Sequence, residues 1–383
     1  MTQYTVLNLL SLNIGKAQIE VSYEMYKELI LHAVLALPLD RWNRLVMSDD
    51  LRKSWREDIL KTIYYNCRYN NAQQMLPISV PYVILKGTSA AKYYPHPDYR
   101  SMGDIDIMTR REDYNQALED LLSDGYIITS SLERETRLEK NGIIVELHKF
   151  FASLNEIEQA QYLDELIIEN INTTHILPDL VNGLTLLEHV SQHLERGIGL
   201  RQIVDWLMFV NRCLPDEKWM DFFELARKIG LDQFAIILTR MCEIYLGLPE
   251  RNWCSSADDD ICHELMDYIL LSGNFGNKRE YDKDAIQTVL YYTTGPLATI
   301  KMLQERGLEN WKTAQKYIIL RPLAWSYQIC RYIVRGLKQK KSFTSLKQEY
   351  MAAKRKNNLF SKMGVRIKSK GLVVYRNGKY IKT

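Results

Sequence analysis

The stretch LKGTSAAKYYPHPDYRSMGDIDIM, Leu85 to Met108, decides the fold. It carries an apolar run into a turn at Lys86 and Gly87, and seventeen positions after that glycine an apolar segment contains Asp104 and Asp106. Alternate residues of a strand share a face, so both carboxylates point to one side and the intervening isoleucine to the other. The two side chains would leave the sheet about 6.5 to 7 Å apart, within reach of a common pair of divalent ions.

An acidic pair of this kind also occurs by chance. Acidic residues are 47 of 383, so roughly six acidic-x-acidic triplets are expected anywhere in such a chain. A solvated strand end is therefore the alternative interpretation of Asp104 and Asp106. The apolar neighbours and the preceding Gly103, where the backbone can bend closely round a ligand, favour a binding site.

A third carboxylate lies in RETRLEKNGIIVELHKF, Arg134 to Phe150. Two extended runs flank Asn141-Gly142, the residue pair that best fits a two-residue type I′ hairpin turn. Glu146 lies in the second run, and its two neighbours, both apolar, point to the opposite face. If this strand pairs with the first acidic strand, three carboxylates converge on one surface, which is electrostatically costly without cations.

The turn between the first strand and the next helix is the other element of the candidate site. Lys86, Gly87, Thr88 and Ser89 could cradle phosphate, because free backbone N–H groups and a helix N-terminus attract anions. Thr88 or Ser89 is the predicted N-cap of the helix. Such a turn is common, so the phosphate interpretation depends on the carboxylates that follow.

The fold class predicted is α+β, with a small mixed-sheet core flanked by N- and C-terminal helical regions. Helical periodicity from Tyr23 to about Gln74 precedes a strand, helix, strand, helix and hairpin pattern, and a long helical pattern follows. The predicted segments are a helical cap at 1–80, a sheet core at 81–151, a helical domain at 152–337 and a basic tail at 338–383.

Charge is distributed unevenly along the chain. Residues Arg331 to Thr383 contain sixteen Lys and Arg and one acidic residue, which leaves 34 basic and 46 acidic residues before them. This basic tail, which ends in a predicted hairpin around Asn377-Gly378, suits nucleic acid, an anionic surface or the acidic body itself. The N-terminus lacks the pattern of a secretory signal, no run is long enough for a membrane span, and six scattered cysteines indicate reduced thiols, so a cytoplasmic location is expected.

These motifs together resemble a known family. ILKG, then YRSMGDIDIM, then VELHKF is similar to the uncharacterised bacterial nucleotidyltransferases of the polymerase-beta-type superfamily, over about Val83 to Phe151. The usual signature in that superfamily is Gly-Ser with a shorter gap to the carboxylates. Here the turn reads Gly87-Thr88-Ser89 and the connection is longer.

The resemblance implies a reaction and roles for the motif residues. Asp104 and Asp106 would hold two magnesium ions, with Mn²⁺ as an alternative, and Glu146 would bind the ion on the acceptor side and help to take the acceptor's proton. An acceptor hydroxyl would attack the α-phosphorus of a nucleoside triphosphate, such as ATP, and release pyrophosphate. Arg100 would neutralise a phosphate oxygen, or it is a surface arginine.

Four more residues are candidates for the acceptor side. His148 shares a strand face with Glu146 and could orient it, although a capping or solvent-facing histidine is equally compatible. His189 and His193 share a helix face but do not form an HExxH motif, because the glutamate precedes the first histidine, so structural histidines are the simpler interpretation. In the resembling family such a helix, followed by an aspartate like Asp205, packs over the catalytic domain.

Two function classes are compatible with these sequence features. The first is a metal-dependent nucleotidyltransferase with an unknown acceptor. The alternative is a non-catalytic module that binds nucleic acid or a partner through the basic tail on the same scaffold. A DxD glycosyltransferase is disfavoured, because the chain has too few strands for a doubly wound nucleotide-sugar domain.

Overall fold

The structure is a computed structural model. It describes residues 2–13, 15, 17–194, 197–274, 300, 303–304, 307–308, 310–338, 343–365, 373–376 and 378–382. Two compact units divide the chain: 1–278 with 372–383, and 279–371. The finer division of the first unit into cap, core and helical domain stays a prediction, and residues 275–299 of the predicted helical domain lie outside the described residues.

The first unit starts with three α-helices, which precede its main sheet. Ser22 and Ser48 cap the second and third of them, each through a side-chain oxygen that accepts a backbone N–H three residues on. The predicted helical periodicity up to Gln74 is confirmed, whereas the first helix was not predicted. The elements before the sheet are α1 Thr2–Leu10, β1 Ile19–Glu20, α2 Tyr23–Leu31, a 3₁₀ helix Leu37–Arg44, β2 Leu45–Val46 and α3 Asp49–Gln74.

A five-stranded mixed sheet is the centre of this unit. Its strand order is β3-β4-β7-β6-β5, with β4 and β7 parallel and every other neighbouring pair antiparallel. The predicted α+β class is confirmed. The elements are β3 Tyr82–Leu85, α4 Gly87–Ala91, a 3₁₀ helix Pro97–Tyr99, β4 Ile105–Thr109, α5 Tyr114–Ser123, β5 Ile127–Ser131, β6 Glu135–Lys140 and β7 Ile143–His148.

The alternation of side chains along β4 and β7 builds the core. Ile105 and Ile107 share a buried cluster with Val145 and Leu147, and residues of α5 such as Leu121 close it. The isoleucines point into this core as predicted, so Asp106 between them faces the other side of the sheet. Burial of this apolar face stabilises the sheet and fixes the register of its acidic face.

The hairpin between β6 and β7 forms as predicted. Asn141 and Gly142 have φ values of 52° and 74°, the left-handed conformation that a type I′ turn requires at both positions. The register places Glu135 opposite His148. Edge strand β5 was not predicted, because four of its five residues are exposed and no apolar alternation marks it.

A layer of helices follows the sheet in the first unit. Helices α7 and α8 are in contact with each other, and the short α4 contacts both. Most residues of α7 and α8 are buried, so they form the interior of this layer. The helices are α6 Ile157–Glu169, α7 Asp179–Leu194, α8 Leu200–Cys213, α9 Trp219–Lys228, α10 Asp232–Leu246 and α11 Asp259–Ser272.

The C-terminal hairpin belongs to the first unit. Strands β8 Val373–Arg376 and β9 Lys379–Lys382 pair antiparallel, which confirms the predicted hairpin, although Asn377 lies outside the described residues. Tyr380 donates a hydrogen bond of 2.9 Å to Asp164, and Lys382 lies 2.8 Å from Glu156. This end of the basic tail therefore contacts the acidic body, one of the three partners that the sequence suggested.

The second unit is helical where it is described. Its helices are Lys312–Lys316, Ala324–Lys338 and Phe343–Lys362, with a 3₁₀ helix Ile318–Leu323. Residues 339–342 and 366–371 of the predicted basic tail lie outside the described residues. Across the described ranges of both units, every helix is too short or too polar to cross a bilayer. All six cysteines are described and none forms a disulfide, as predicted.

Candidate active site

Strand pairing brings the predicted carboxylates together. Asp106 of β4 lies directly opposite Glu146 of β7, in strands that run parallel. Adjacent strands are about 4.8 Å apart, so two carboxylates in this register share one small volume. The predicted convergence on one surface is confirmed for this pair. Asp104 directly precedes β4 and lies on the same face as Asp106.

The three carboxylates titrate in very different ranges. Burial and the charge of Asp106 raise the pKa of Asp104 to about 6. Burial and the charges of Asp106 and Asp104 raise the pKa of Glu146 to about 8. Burial would raise the pKa of Asp106 as well, but the charge of Lys86 and a hydrogen bond with His148 hold it well below its ordinary value. Burial, together with the neighbouring carboxylates, thus makes two of the three carboxyl groups hold their protons more tightly than usual.

Lys86 is the cation nearest to this charge. Its Nζ lies 2.8 Å from Oδ1 of Asp106, and both side chains are largely buried. Burial would lower the pKa of Lys86, but the attraction of Asp106 outweighs it and the pKa is raised. The backbone of Lys86 has φ 52°, a left-handed conformation that is costly for a residue with a side chain. This conformation aims the lysine at the carboxylates.

The turn after Lys86 approaches the acidic segment closely. Gly87 has φ 37°, and a Cβ at this position would lie 3.8 Å from the carbonyl oxygen of Asp104. Helix α4 starts at Gly87 with Lys86 as its N-cap residue, so the prediction that Thr88 or Ser89 is the N-cap is wrong. The helix starts earlier because the positive φ of Lys86 already turns the chain out of β3.

The hydroxyl groups after this glycine have partners in the protein. Thr88 donates to Oε1 of Gln73 on α3 at 2.7 Å. Ser89 is buried and donates to Oδ1 of Asn182 on α7 at 2.5 Å, while the amide of Asn182 donates back to the Ser89 carbonyl. Both hydroxyls therefore anchor α4 between neighbouring helices. The groups that remain for an anion are the turn backbone and Lys86.

His148 completes a set of metal-ligand atoms. Its Nε2 lies 2.9 Å from Oδ1 of Asp106, and one ligand atom each from Asp106, Glu146 and His148 lie within 4.8 Å of one another. Burial lowers the pKa of His148 below its ordinary value. Among the described acidic, histidine and cysteine residues, Asp106, Glu146 and His148 form the group that is compact enough to hold one ion. Asp104 is not part of this group.

Arg100 and Asp205 contact each other, although the sequence suggested Arg100 for the nucleotide phosphates and Asp205 for the acceptor side. The Nε and Nη2 atoms of Arg100 donate to the two carboxylate oxygens of Asp205, each at 2.7 Å, and both side chains are buried. Tyr94 also donates to Asp205, at 2.7 Å. This bidentate pair satisfies both charges internally, so it ties the loop before Asp104 to α8. A surface position for Arg100 is wrong, because the ion pair buries it.

Asn66 of α3, which no sequence motif marks, also holds that loop. Its amide donates to the carbonyl oxygens of Asp98 at 2.7 Å and Arg100 at 2.9 Å, and its oxygen accepts the N–H of Met102 at 3.0 Å. Three hydrogen bonds from one buried side chain fix the path of the chain into Asp104. A lone asparagine in a helix gives no signal of this in the sequence.

Arg201 of α8 was likewise not predicted. Its Nη1 donates to the carbonyl of Ser101 at 3.0 Å, and its buried Nε has no hydrogen-bond partner. Its charge is felt by Asp104, where it opposes the effect of burial on the pKa. Among the described side chains Arg201 forms no ion pair, in contrast to Arg100. Its position one residue into a predicted helix, four before Asp205, is the signal that could have found it.

The two predicted histidines of α7 lie together, with His189 buried and His193 partly exposed. The rings of His189 and His193 meet edge to face with centroids 4.5 Å apart. Burial lowers the pKa of His189 well below its ordinary value, and the charges of His193 and Lys86 add to this effect. Charges of the site, those of Lys86 and Arg201, therefore act on His189.

The fold and the site define a class of protein. A mixed sheet that sets an acidic strand beside a parallel acidic strand, with a Lys-Gly turn against the first, is the arrangement that the sequence resemblance led us to expect for a nucleotidyltransferase core. Residues 21–247 match the family described as uncharacterised nucleotidyltransferase, and this match covers more than half of the chain. The chain belongs to this family, as its motifs indicated. No curated protein matches the chain, and no solved structure matches it.

Proposed function

We propose that this protein is a metal-dependent nucleotidyltransferase that moves a nucleoside monophosphate from a nucleoside triphosphate to an acceptor hydroxyl. The observation that carries the proposal is the pairing of Asp106 with Glu146 across parallel strands, next to the Lys86 turn, in a chain of this family. Pyrophosphate is the leaving group. The bond that forms joins the acceptor oxygen to the α-phosphorus, and the α–β phosphoanhydride bond breaks.

The carboxylates fit divalent metal ions. Asp104, Asp106 and Glu146 would hold them, with Mg²⁺ or Mn²⁺ as the ions, because hard cations take oxygen ligands. The raised pKa values of Asp104 and Glu146 support this assignment, because burial and the neighbouring carboxylates both disfavour their charged forms when no cation is bound. When bound, the ions supply the positive charge that the triphosphate and the attacking oxygen require.

Glu146 is the group best placed to take the acceptor's proton. Its pKa of about 8 lies close to neutral pH, where a general base works best, and its ionised form would accept the proton. Asp106, whose pKa is held low, stays charged throughout this range. The two carboxylates, which face each other in the sheet, therefore suit different roles: Asp106 as a permanently charged ligand, and Glu146 as a ligand that can also accept a proton.

The triphosphate side consists of Lys86, the Gly87 turn and Arg201. Lys86 and Arg201 are cations whose charges act on Asp104 from two elements, the turn and α8. A guanidinium with a buried, unpartnered Nε is suited to a phosphate oxygen. Arg100 is not proposed for this role, because Asp205 already uses its fork of donors.

The acceptor side lies towards α7. His189 and His193 are proposed to line it, while Asp205 supports it through the buried ion pair rather than by contact with the acceptor. His148 acts on the carboxylates themselves, since its ring touches Asp106. The chemical identity of the acceptor is not specified by these residues.

The position of the transferred label tests the proposal. Protein is incubated with Mg²⁺ or Mn²⁺, a clarified lysate as the source of acceptors, and triphosphates labelled with ³²P at either the α or the γ position. Label from the α position should enter a product, and Asp106→Asn should reduce its transfer by at least about 100-fold. The exposed Asp221→Asn variant is the matched control and should behave as wild type.

Two results would contradict nucleotidyl transfer. Label that enters products from the γ position would indicate phosphoryl transfer. Label from the α position that persists in Asp106→Asn would show that the acidic strand is not the catalytic centre.

A further inference from the structure

The imidazole of His148 lies between two carboxylates. Its Nε2 is within hydrogen-bond distance of Oδ1 of Asp106, at 2.9 Å, whereas its Nδ1 lies 3.3 Å from Oε2 of Glu135 and makes no hydrogen bond. The side chain is only 1% exposed, so the ring is shielded from bulk solvent. Strand register fixes the arrangement, because Glu135 of β6 is paired directly with His148 of β7.

A neutral ring cannot satisfy both neighbours in this position. A neutral imidazole carries one N–H and one lone pair, whereas an ionised carboxylate only accepts hydrogen bonds. Whichever nitrogen holds the proton, the other directs a lone pair at a carboxylate oxygen. A doubly protonated ring would match both, and a cation between Nε2 and Asp106 would match both as well.

A cation bound between Nε2 of His148 and Asp106 would correspond to a common type of metal site. A histidine that binds a metal through one nitrogen commonly donates the N–H of the other to a carboxylate, which fixes the tautomer and makes the ligand more basic. Glu135 occupies the place of that carboxylate. Nε2 then faces the volume where ligand atoms of Asp106 and Glu146 lie within 4.8 Å of it.

We propose that Nε2 of His148 is a direct ligand of the ion held by Asp106 and Glu146, that Glu135 orients the ring, and that this ion is Mn²⁺ or a related transition-metal ion in preference to Mg²⁺. The proposal rests on the metal-dependent function above and names the class of ion for that site. Mg²⁺ favours an octahedral shell of oxygen atoms, whereas imidazole suits transition metals. A site of two carboxylates and one imidazole therefore discriminates between them.

Pulsed electron paramagnetic resonance of bound Mn²⁺ tests the coordination directly. The full chain is loaded with Mn²⁺ alone, and modulation of the electron spin echo by ¹⁴N reports an imidazole nitrogen on the ion. We expect this modulation in wild type, and we expect ¹⁵N-histidine labelling to change its frequencies without any mutation. His148→Gln should lose it and bind Mn²⁺ at least about tenfold more weakly, with a smaller change for Mg²⁺.

Two further variants complete the test. Glu135→Gln should keep the nitrogen modulation and bind Mn²⁺ about 10- to 100-fold more weakly, because the ring loses its orienting acceptor. His96→Gln replaces an exposed histidine and should match wild type in both measurements. Far-ultraviolet circular dichroism checks that each variant folds, and the labelled wild type gives the answer if His148→Gln does not.

Bound Mn²⁺ without nitrogen modulation, equal losses of Mn²⁺ and Mg²⁺ affinity in His148→Gln, or no binding of Mn²⁺ would each overturn the proposal. Different results would contradict the proposed nucleotidyltransferase function. A wild type that binds triphosphate through a site without nitrogen coordination retains the function and loses this inference. A wild type with the nitrogen signal but no affinity for any triphosphate retains the metal site and loses the function.

Discussion

Asp106 and Glu146 lie opposite each other in adjacent parallel strands, and the pKa values of the two carboxyl groups move in opposite directions. Lys86 and His148 both contact Asp106, which keeps it charged, whereas burial and its acidic neighbours make the charged form of Glu146 costly. The sheet therefore keeps one carboxyl group ionised and leaves the other largely protonated near neutral pH.

Replacing Glu146 should stabilise the protein without metal. A carboxyl group whose pKa is raised to about 8 keeps its proton in the folded state while the unfolded chain releases it, so stability falls as pH rises from about 4.5 to 8. Glu146→Gln removes this loss. At pH 8 with a chelator, we expect its free energy of unfolding to exceed that of wild type by at least about 1 kcal/mol.

Urea unfolding at pH 4.5 and pH 8 measures this difference, which should disappear at the lower pH. Glu139→Gln, on the neighbouring strand β6, is the control and should show no such gain. A Glu146→Gln variant that is less stable than wild type at pH 8 would mean that the carboxylate has a stabilising partner.

Metal binding should strengthen as pH rises. Asp104 and Glu146 must lose their protons to act as ligands, and their pKa values of about 6 and about 8 place this loss between about pH 5 and 9. Isothermal titration with Mn²⁺ in two buffers of different ionisation enthalpy gives the number of protons released. Near pH 7 it should approach about one per ion, and an affinity that is independent of pH would argue against these ligands.

Replacing Lys86 should change the affinity for a divalent ion and the affinity for a nucleoside triphosphate in opposite directions. In the protein without metal its ammonium group partly neutralises Asp106, so Lys86→Met should bind a divalent ion more tightly when no nucleotide is present. The same variant should bind triphosphate about tenfold or more weakly, because a phosphate contact is lost. Calorimetry with each ligand separates the effects, and Lys92→Met, whose lysine pairs with Asp179, is the control. Weakening of both would indicate a purely structural lysine.

The pair of Arg100 and Asp205 should prove structural. Removing one partner leaves a buried charge alone, so Arg100→Met and Asp205→Asn should each cost about 3 to 5 kcal/mol of unfolding free energy. The double variant should cost clearly less than the sum of the two, because the charges are lost together. Variants of normal stability that fail to bind triphosphate would instead favour the role that the sequence suggested for Arg100.

Local patterns predicted the parts of this site that are close in sequence. The alternation in β4 and β7 and the Asn141-Gly142 turn determine which side chains share a face, so the acidic face follows from the sequence alone. The sequence does not determine that β4 and β7 are neighbours in the sheet. It joins residues forty positions apart, and no local pattern determines which strand a strand will pair with.

The remainder depends on long-range packing. Asn66 reaches the loop before Asp104 from a helix more than thirty residues earlier, and Asp205 reaches Arg100 from 105 residues later. Such contacts follow from tertiary structure rather than periodicity. The sequence also gives no sign that Glu135 lies next to His148, because a glutamate on a partly exposed strand is ordinarily solvated.

Calorimetric titration of nucleoside triphosphates tests the central claim most directly. Each triphosphate is titrated with and without divalent metal into wild type and into the Asp104→Ala, Asp106→Ala double variant, after its fold is verified by circular dichroism. The account predicts binding to wild type that requires the metal and is lost in the variant. Binding that persists without metal or carboxylates, or folded wild type that binds no triphosphate under any condition, would contradict it.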